Sequence, residues 1–167
     1  YGAAGWGFDD VLPYFKKAET NTRLGDPFHG TDGPLHVEDR RYDHELSTAF
    51  VEAGVAAGLK RNPDFNGASQ EGIGLYQVTC KKGRRWSVAD AYIHPAENRP
   101  NLTILTEAFV TRIVLEGNRA VGVAYTRGGE SFEVRVEAEV VLSGGTINSP
   151  QLLMLSGIGP GAHLREM

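Results

Sequence analysis

The spacing of apolar residues changes from a helical to a strand-like period along this chain. Two early segments, Phe8–Glu19 and Asp43–Leu59, carry apolar residues every three or four positions, which predicts amphipathic helices. After Pro100, apolar and polar residues alternate, as they do in half-buried strands. The pattern therefore predicts an α+β chain in which helices and loops come first and sheet follows, with a boundary near His94–Pro100.

The alternating half predicts an antiparallel meander. Gly117-Asn118 and Gly128-Gly129 interrupt the alternation and favour tight hairpin turns. Strands that are adjacent in sequence and joined by such turns pair antiparallel. The predicted strands are Leu102–Leu105, Val110–Glu116, Ala120–Thr126, Glu130–Val136 and Val140–Ser143.

A glycine hinge and a helix start follow the last of these predicted strands. Gly144-Gly145 removes side chains where the backbone must turn or let another group approach. Ser149 is a good helix cap, and Pro150 is a good first helical residue. A helix over Ser149–Ser156, ended by Gly157, is therefore predicted. The N–H groups at such a helix start can bind a ligand, and glycine at a strand end can equally serve close packing.

The middle of the chain carries turn-forming and charged residues. Asn21–Pro34 is rich in glycine, proline and polar residues, which predicts an irregular excursion across the surface. Leu75–Cys80 is predicted to be a strand, and Lys81–Arg85 a charged turn. Ser87 is predicted to begin a short helix that stops before Pro95.

Two arginines next to a tryptophan in the charged turn admit two interpretations. Arginine and tryptophan are frequent at binding surfaces, so Arg84, Arg85 and Trp86 can mark a substrate or dimer surface. Alternatively, they form a solvated turn whose tryptophan covers the core, and this second interpretation is favoured.

Composition excludes several classes of function. The 167 residues are 41% hydrophobic and 23% charged, as in an ordinary globular domain, and the net charge of −4 offers no basic field for nucleic acid. The five histidines form no metal-binding motif, so surface or capping roles are expected for them and no metal is expected. The single cysteine, Cys80, suits a reducing compartment. Without a secretory leader or an apolar run of about 20 residues, the sequence predicts a cytoplasmic protein with no membrane span.

The ends of the chain suggest a piece of a larger protein. The sequence opens at Tyr1 without an initiator methionine, and it stops at Met167 directly after a helical pattern. We therefore expect further polypeptide on both sides.

Five blocks of sequence, in this order, resemble the middle of a glucose-methanol-choline oxidoreductase, closest to the choline-dehydrogenase-like branch of that family. The last block is one of the two signatures of the family. The blocks are "GWGFDDVLPYFKKAE", "HGTDGPLHV", "GRRWSVADAYIHPA", "RPNLTILTEAFVTRIVLEGNRAVGV" and "GGTINSPQLLMLSGIGP".

The resemblance implies an α/β parent enzyme that uses FAD to oxidise a primary alcohol, with hydride passing to the flavin and a proton to a nearby base. In the family, a valine matching Val110 contacts the adenine end of FAD through its backbone, and the hinge matching Gly144 and Gly145 lies close to FAD. The resemblance also assigns residues 1–34 and 98–167 to the FAD-binding domain and residues 35–97 to the substrate-side domain.

The family's G-x-G-x-x-G fingerprint and catalytic histidine have no match in this chain. The chain alone is therefore expected to hold no catalytic residue, to retain no FAD, and to expose apolar surface that supports homo-oligomers. An alcohol oxidase using oxygen, a lyase on the same fold, and a non-catalytic folded module remain open as alternatives.

Overall fold

The computed structural model describes residues 2–166, which divide into two units, one ending at Leu102 and the other beginning at Thr103. Within the described range, no helix combines the length and the apolar character that crossing a membrane requires.

The two amphipathic helices predicted from the apolar spacing are confirmed in the first unit. Helix α1 spans Phe8–Ala18 and continues through Pro13, with aspartates in its first turn and lysines in its last, as the helix dipole favours. Helix α2 spans Glu45–Ala56. The Nδ1 atom of His44 accepts the N–H of Leu46 at 3.1 Å, so His44 caps the helix and stabilises its N-terminus.

The predicted buried face of α2 is wrong in part. Leu46 and Phe50 are 69% and 71% exposed, and only Val51, at 4%, is buried. The side chain of Ile73 lies against Gly54, where a methyl group would overlap it. The helix therefore contacts the unit through the face of Val51 and Gly54, because glycine lets another residue approach and leaves no apolar signal in the sequence.

The predicted irregular surface excursion over Asn21–Pro34 is wrong in part, since the segment is mostly irregular and half exposed but some of its residues are buried. Strand β1, Glu19–Asn21, pairs in parallel with strand β2, Leu35–Val37, and the intervening segment folds inward. Four of its residues are buried, namely Asn21, His29, Gly30 and Gly33.

Two glycines explain why this segment folds inward. A methyl group on Gly30 would overlap the carbonyl oxygen of Lys16, and one on Gly33 would overlap the backbone of Ala18. The close approach lets the N–H of Asn21 donate to Gly30 O at 2.8 Å and the N–H of Gly33 donate to Glu19 O at 2.9 Å. These glycines serve contact between backbones, whereas the sequence pattern indicated turns.

A buried polar group, which we call the His29 cluster, consists of Glu19, Asn21, His29, Asp64 and Gln77. The Nδ1 atom of His29 lies 3.0 Å from Glu19 Oε2, and Nε2 lies 3.1 Å from Asp64 Oδ2. The amide of Asn21 donates to Glu19 at 3.0 Å and to Gln77 at 2.8 Å. Since His29 is only 6% exposed, these bonds satisfy groups that water does not reach freely.

The strand predicted over Leu75–Cys80 is mostly absent. Val78 makes an isolated bridge to Glu38, and regular pairing is confined to a short hairpin of β3, Cys80–Lys81, and β4, Arg84–Arg85. The side chain of Gln77 joins the His29 cluster, and Tyr76 stacks on Phe65 with ring centroids 4.5 Å apart. Side-chain contacts therefore position this segment where a strand partner is lacking.

The helix predicted at Ser87 is present as a π-helical turn, Ala89–Ile93, followed by a 3₁₀ turn, His94–Ala96. The N–H and hydroxyl of Ser87 both donate to Asp90 Oδ2, at 2.8 and 2.5 Å. This bonding lowers the pKa of Asp90.

The second unit contains the predicted meander. Strands β5, Phe109–Glu116, β6, Arg119–Arg127, and β7, Glu130–Arg135, pair antiparallel in the order β5-β6-β7. These three predictions are confirmed to within one residue at each end. The strands predicted at Leu102–Leu105 and Val140–Ser143 are wrong, since neither segment pairs with any described strand.

Helix α3, Gly145–Leu155, begins four residues earlier than predicted, so Pro150 lies inside it and Gly144 is its N-cap. The hydroxyl of Ser149 accepts the N–H of Gly144 at 3.0 Å instead of capping a helix that starts at Pro150. The predicted end is confirmed: Gly157 N–H donates to Met154 O and Ile158 N–H to Leu153 O, both at 2.9 Å, which is a Schellman motif. A short helix α4, Gly161–Glu166, follows.

Few apolar side chains are buried in either unit. The buried ones among the described residues are Val51, Ala91, Ile113 and Val114, whereas many large apolar side chains are exposed. The expected exposure of apolar surface is therefore confirmed, and polar and backbone contacts carry much of the organisation.

The close backbone approach at Gly30 predicts that Gly30→Ala lowers the free energy of unfolding by about 3 kcal/mol, since its methyl group can be placed only by displacing backbone. Gly25→Ala is the matched control, because its methyl group would meet only Thr31 Cγ2 at 3.9 Å. Urea unfolding followed by circular dichroism measures both. Equal stability losses in the two variants would contradict this account.

Candidate functional site

The glycine hinge lies at the start of α3, in the second unit. Gly144 has a φ of −77°. Gly145 has a φ of +86°, a backbone conformation that residues other than glycine rarely adopt. Nothing lies within 4 Å of a methyl group built on Gly145, and residues 143–148 are exposed. The hinge is therefore glycine for its backbone conformation, and the space beside it is open.

The first N–H groups of α3 form the donor set of this hinge. Gly144 is the N-cap residue, and no side chain caps the start of α3. The Ser149 hydroxyl accepts the N–H of Gly144, and this N–H lies before the first helical residue. Helix-start N–H groups without a cap carry partial positive charge and attract anionic or carbonyl oxygens. The donor set fits a ligand such as a dinucleotide, whose phosphates and carbonyl groups are acceptors.

Val110 lies at a β-bulge of strand β5. Val110 pairs with Tyr125, and Arg112 pairs with the next residue of β6, Ala124, so Thr111 is the extra residue. The hydroxyl of Thr111 donates to the carbonyl oxygen of Ala124 at 3.1 Å. Bulges interrupt the regular ladder and re-aim the backbone, and they are frequent near functional sites. The alternation of apolar and polar residues does not indicate this irregularity.

Ser156 joins the helix that carries the hinge to the strand that carries the bulge. Its hydroxyl accepts the N–H of Ile113 at 2.8 Å and donates to the carbonyl oxygen of Leu152 at 2.6 Å. Helix α3 also packs on β5. Val110 thus lies on the strand of a packed helix–strand pair, and Gly144 and Gly145 lie at the start of its helix. Sequence reasoning used Ser156 only as a helix end and missed this contact.

The surroundings of Trp86 agree with the favoured interpretation, a charged turn whose tryptophan packs on the protein. Arg84 and Arg85 are exposed, and the Trp86 indole N–H donates to Pro34 O at 2.9 Å. The Lys81 ammonium lies 4.4 Å from the centre of the Trp86 ring, and the His36 ring meets its edge at 5.7 Å. The tryptophan thus packs on its own unit.

The histidines take structural positions. His44 caps α2, as a capping role predicts, whereas His29 is buried in its cluster, and the surface role expected for it is wrong. Among residues 2–166, no group of three or more histidine, cysteine or acidic side chains has an arrangement suited to a metal ion.

Comparison with known proteins gives one family. The model of the GMC oxidoreductase family matches residues 1–166. An oxygen-dependent choline dehydrogenase of Sinorhizobium medicae is 50% identical over 166 residues, which are 99% of this chain and 30% of that protein. The chain thus spans about 30% of the length of the curated relatives it matches.

Solved structures give the same result for the fold. Pyridoxine 4-oxidase from Mesorbium loti matches with a TM-score of 0.82 and 39% identity, over 96% of this chain and 32% of that one. An FAD-dependent oxidoreductase from Chaetomium thermophilum matches with a TM-score of 0.89 and 27% identity, over 99% and 31%.

The packing of His36 against Trp86, close to Lys81, predicts that stability depends on pH through His36. Partial burial, and after it the charge of Lys81, lower the pKa of His36 from its ordinary value of 6.5. Folded protein then binds fewer protons than unfolded protein in mild acid. The His36 contribution to stability is therefore complete above pH 6.5 and is lost as the pH falls through the lowered pKa.

Lys81→Met is accordingly expected to raise the pKa of His36 part of the way back, since burial remains. Lys82→Met is the control, because the exposed Lys82 is not a cause of the shift. An NMR titration of the imidazole Cε1 proton reports the pKa directly. If both variants move it equally, the assignment to Lys81 is incorrect.

Proposed function

Because this chain belongs to the GMC oxidoreductase family, we propose that it acts as part of a longer, FAD-dependent enzyme that oxidises a primary alcohol. The observation that carries the proposal is that α3, which begins at the glycine hinge, packs on β5, which carries the Val110 bulge. The hinge residues and Val110 are exposed, so a ligand can reach both elements.

FAD, when bound, supplies the acceptor for the hydride of the alcohol. In this proposal the backbone of Val110 contacts the adenine end, while Gly144 and Gly145 let the cofactor approach α3 closely. The side chain of Val110 is exposed, and the proposal gives it no role. No residue of this chain is assigned the role of catalytic base.

The proposed division of labour follows the resemblance. Residues 1–34 and 98–167 belong to the FAD-binding domain, and residues 35–97 belong to the substrate-side domain. A small alcohol is the proposed substrate, since several relatives that match nearly the whole chain are choline dehydrogenases.

An alcohol oxidase is the second candidate. It is favoured by the 39% identity to a pyridoxine 4-oxidase, a protein whose name denotes an oxidase. The two candidates differ in the electron acceptor.

A cytoplasmic location also stays a prediction that rests on the single cysteine.

The longer polypeptide that contains this chain, which we call the parent, provides the central test. Its flavin absorbance is expected to bleach when choline or another primary alcohol is added without oxygen. Rapid return of the absorbance with hydrogen peroxide on admitting oxygen would select the oxidase. No bleaching by any alcohol would overturn the proposal and favour a lyase.

The isolated chain is expected to behave differently from the parent. Gel filtration with light scattering should show no retained FAD, and it should show self-association through the exposed apolar side chains, which include Trp6, Phe8 and Phe15 of α1 and its approach. A clean monomer at high concentration, with FAD bound in equal amount, would favour a complete folded module.

The hinge is tested by Gly145→Ala in the parent. Gly117→Ala is a matched control, because Gly117 also has a positive φ and also has open space around it. Both variants carry the same backbone penalty, about 1–2 kcal/mol. Only Gly145→Ala is expected to weaken FAD binding, about tenfold, as measured by flavin content after dialysis. Equal retention in both variants would exclude close approach at Gly145.

A further inference from the structure

We propose that Ser156 is a positioning residue: its hydroxyl sets the spacing between the glycine hinge and the Val110 bulge, so that one FAD can contact both. The proposal rests on the proposed function, because it concerns the same two contacts. It assigns a task to a side chain that itself touches no ligand.

The geometry makes Ser156 a bridge between two backbones. Its oxygen accepts from the N–H of Ile113, three residues beyond Val110, and its hydrogen goes to the carbonyl of Leu152 in the preceding turn of α3. Ile113 is only 5% exposed. Its N–H points away from β6 to the free edge of β5, where the serine is the bonding partner found for it.

The position of Ser156 in α3 lets this bond act at a distance. The Schellman motif at Gly157 fixes the backbone around the serine, so the hydroxyl is held by the helix end itself. Gly145 lies at the opposite end of the same helix, about 16 Å away by helix rise. Because α3 also packs on β5, the bond at this end and the packing together hold the direction of the helix, and with it the place of Gly145.

Removal of the hydroxyl has a defined consequence. Ser156→Ala leaves the buried N–H of Ile113 without its acceptor, and the helix end must shift to admit water or another acceptor. The hinge then moves relative to Val110, and a cofactor that spans both loses one contact. Ser156→Thr keeps the hydroxyl, so the bond to the Ile113 N–H and the contact with the cofactor should both be kept.

The experiment uses the parent enzyme with four forms: wild type, Ser156→Ala, Ser156→Thr and the control Ser131→Ala. Ser131 is an exposed serine of β7, and no hydrogen bond of its hydroxyl is found in the described range. FAD dissociation is measured by flavin fluorescence on dilution. Exchange of the Ile113 amide is measured by NMR or mass spectrometry, and melting temperature reports global stability.

Ser156→Ala is expected to release FAD at least tenfold faster and to exchange the Ile113 amide faster, whereas Ser156→Thr and Ser131→Ala stay within twofold of wild type. Wild-type FAD affinity together with fast Ile113 exchange in Ser156→Ala would overturn the proposal, because the bond would then be purely structural. If Ser156→Ala does not fold, Ser156→Cys replaces it, with a weaker bond at similar volume, and the same criteria apply. A wild-type parent without flavin would instead refute the proposed function.

Discussion

The need to satisfy buried polar groups governs this molecule more than apolar packing does. In the first unit, both ring nitrogens of His29 face carboxylates, and Asn21 connects the same cluster to Gln77. Few large apolar side chains are buried around it. Because an unsatisfied buried group costs about 1–3 kcal/mol, loss of one partner here disturbs several segments at once. The cluster is what brings the inward-folded segment, the Asp64 turn and the irregular Gln77 segment together.

The second unit applies the same constraint at a single point. The edge strand β5 has a buried N–H that no neighbouring strand takes, and the Ser156 hydroxyl accepts it. This bond places α3 against the sheet. In the role proposed for Ser156, the candidate site depends on a hydroxyl that lies outside it.

The sequence predicts local features well and long-range contacts poorly. The meander followed from alternation and from glycine turns, which are properties of neighbouring residues. The segments at Leu102 and Val140 alternate or are apolar too, yet a strand needs a partner, and the described sheet offers none. Gly30 and Gly54 were invisible because a glycine that admits another residue has the same letter as one in a turn. The glycine pattern indicated the hinge and the family resemblance supplied Val110, whereas the bulge and the contact of Ser156 are visible only in the structure.

The sequence separations within the His29 cluster bear on the order of folding. Asn21 and Gln77 are 56 positions apart, and His29 and Asp64 are 35 apart, whereas β5, β6 and β7 pair with their immediate neighbours. Low contact order favours rapid folding, because short loops close at small entropic cost. The meander is therefore suited to form early, while the first unit acquires its polar centre only after a long stretch of chain has been collected.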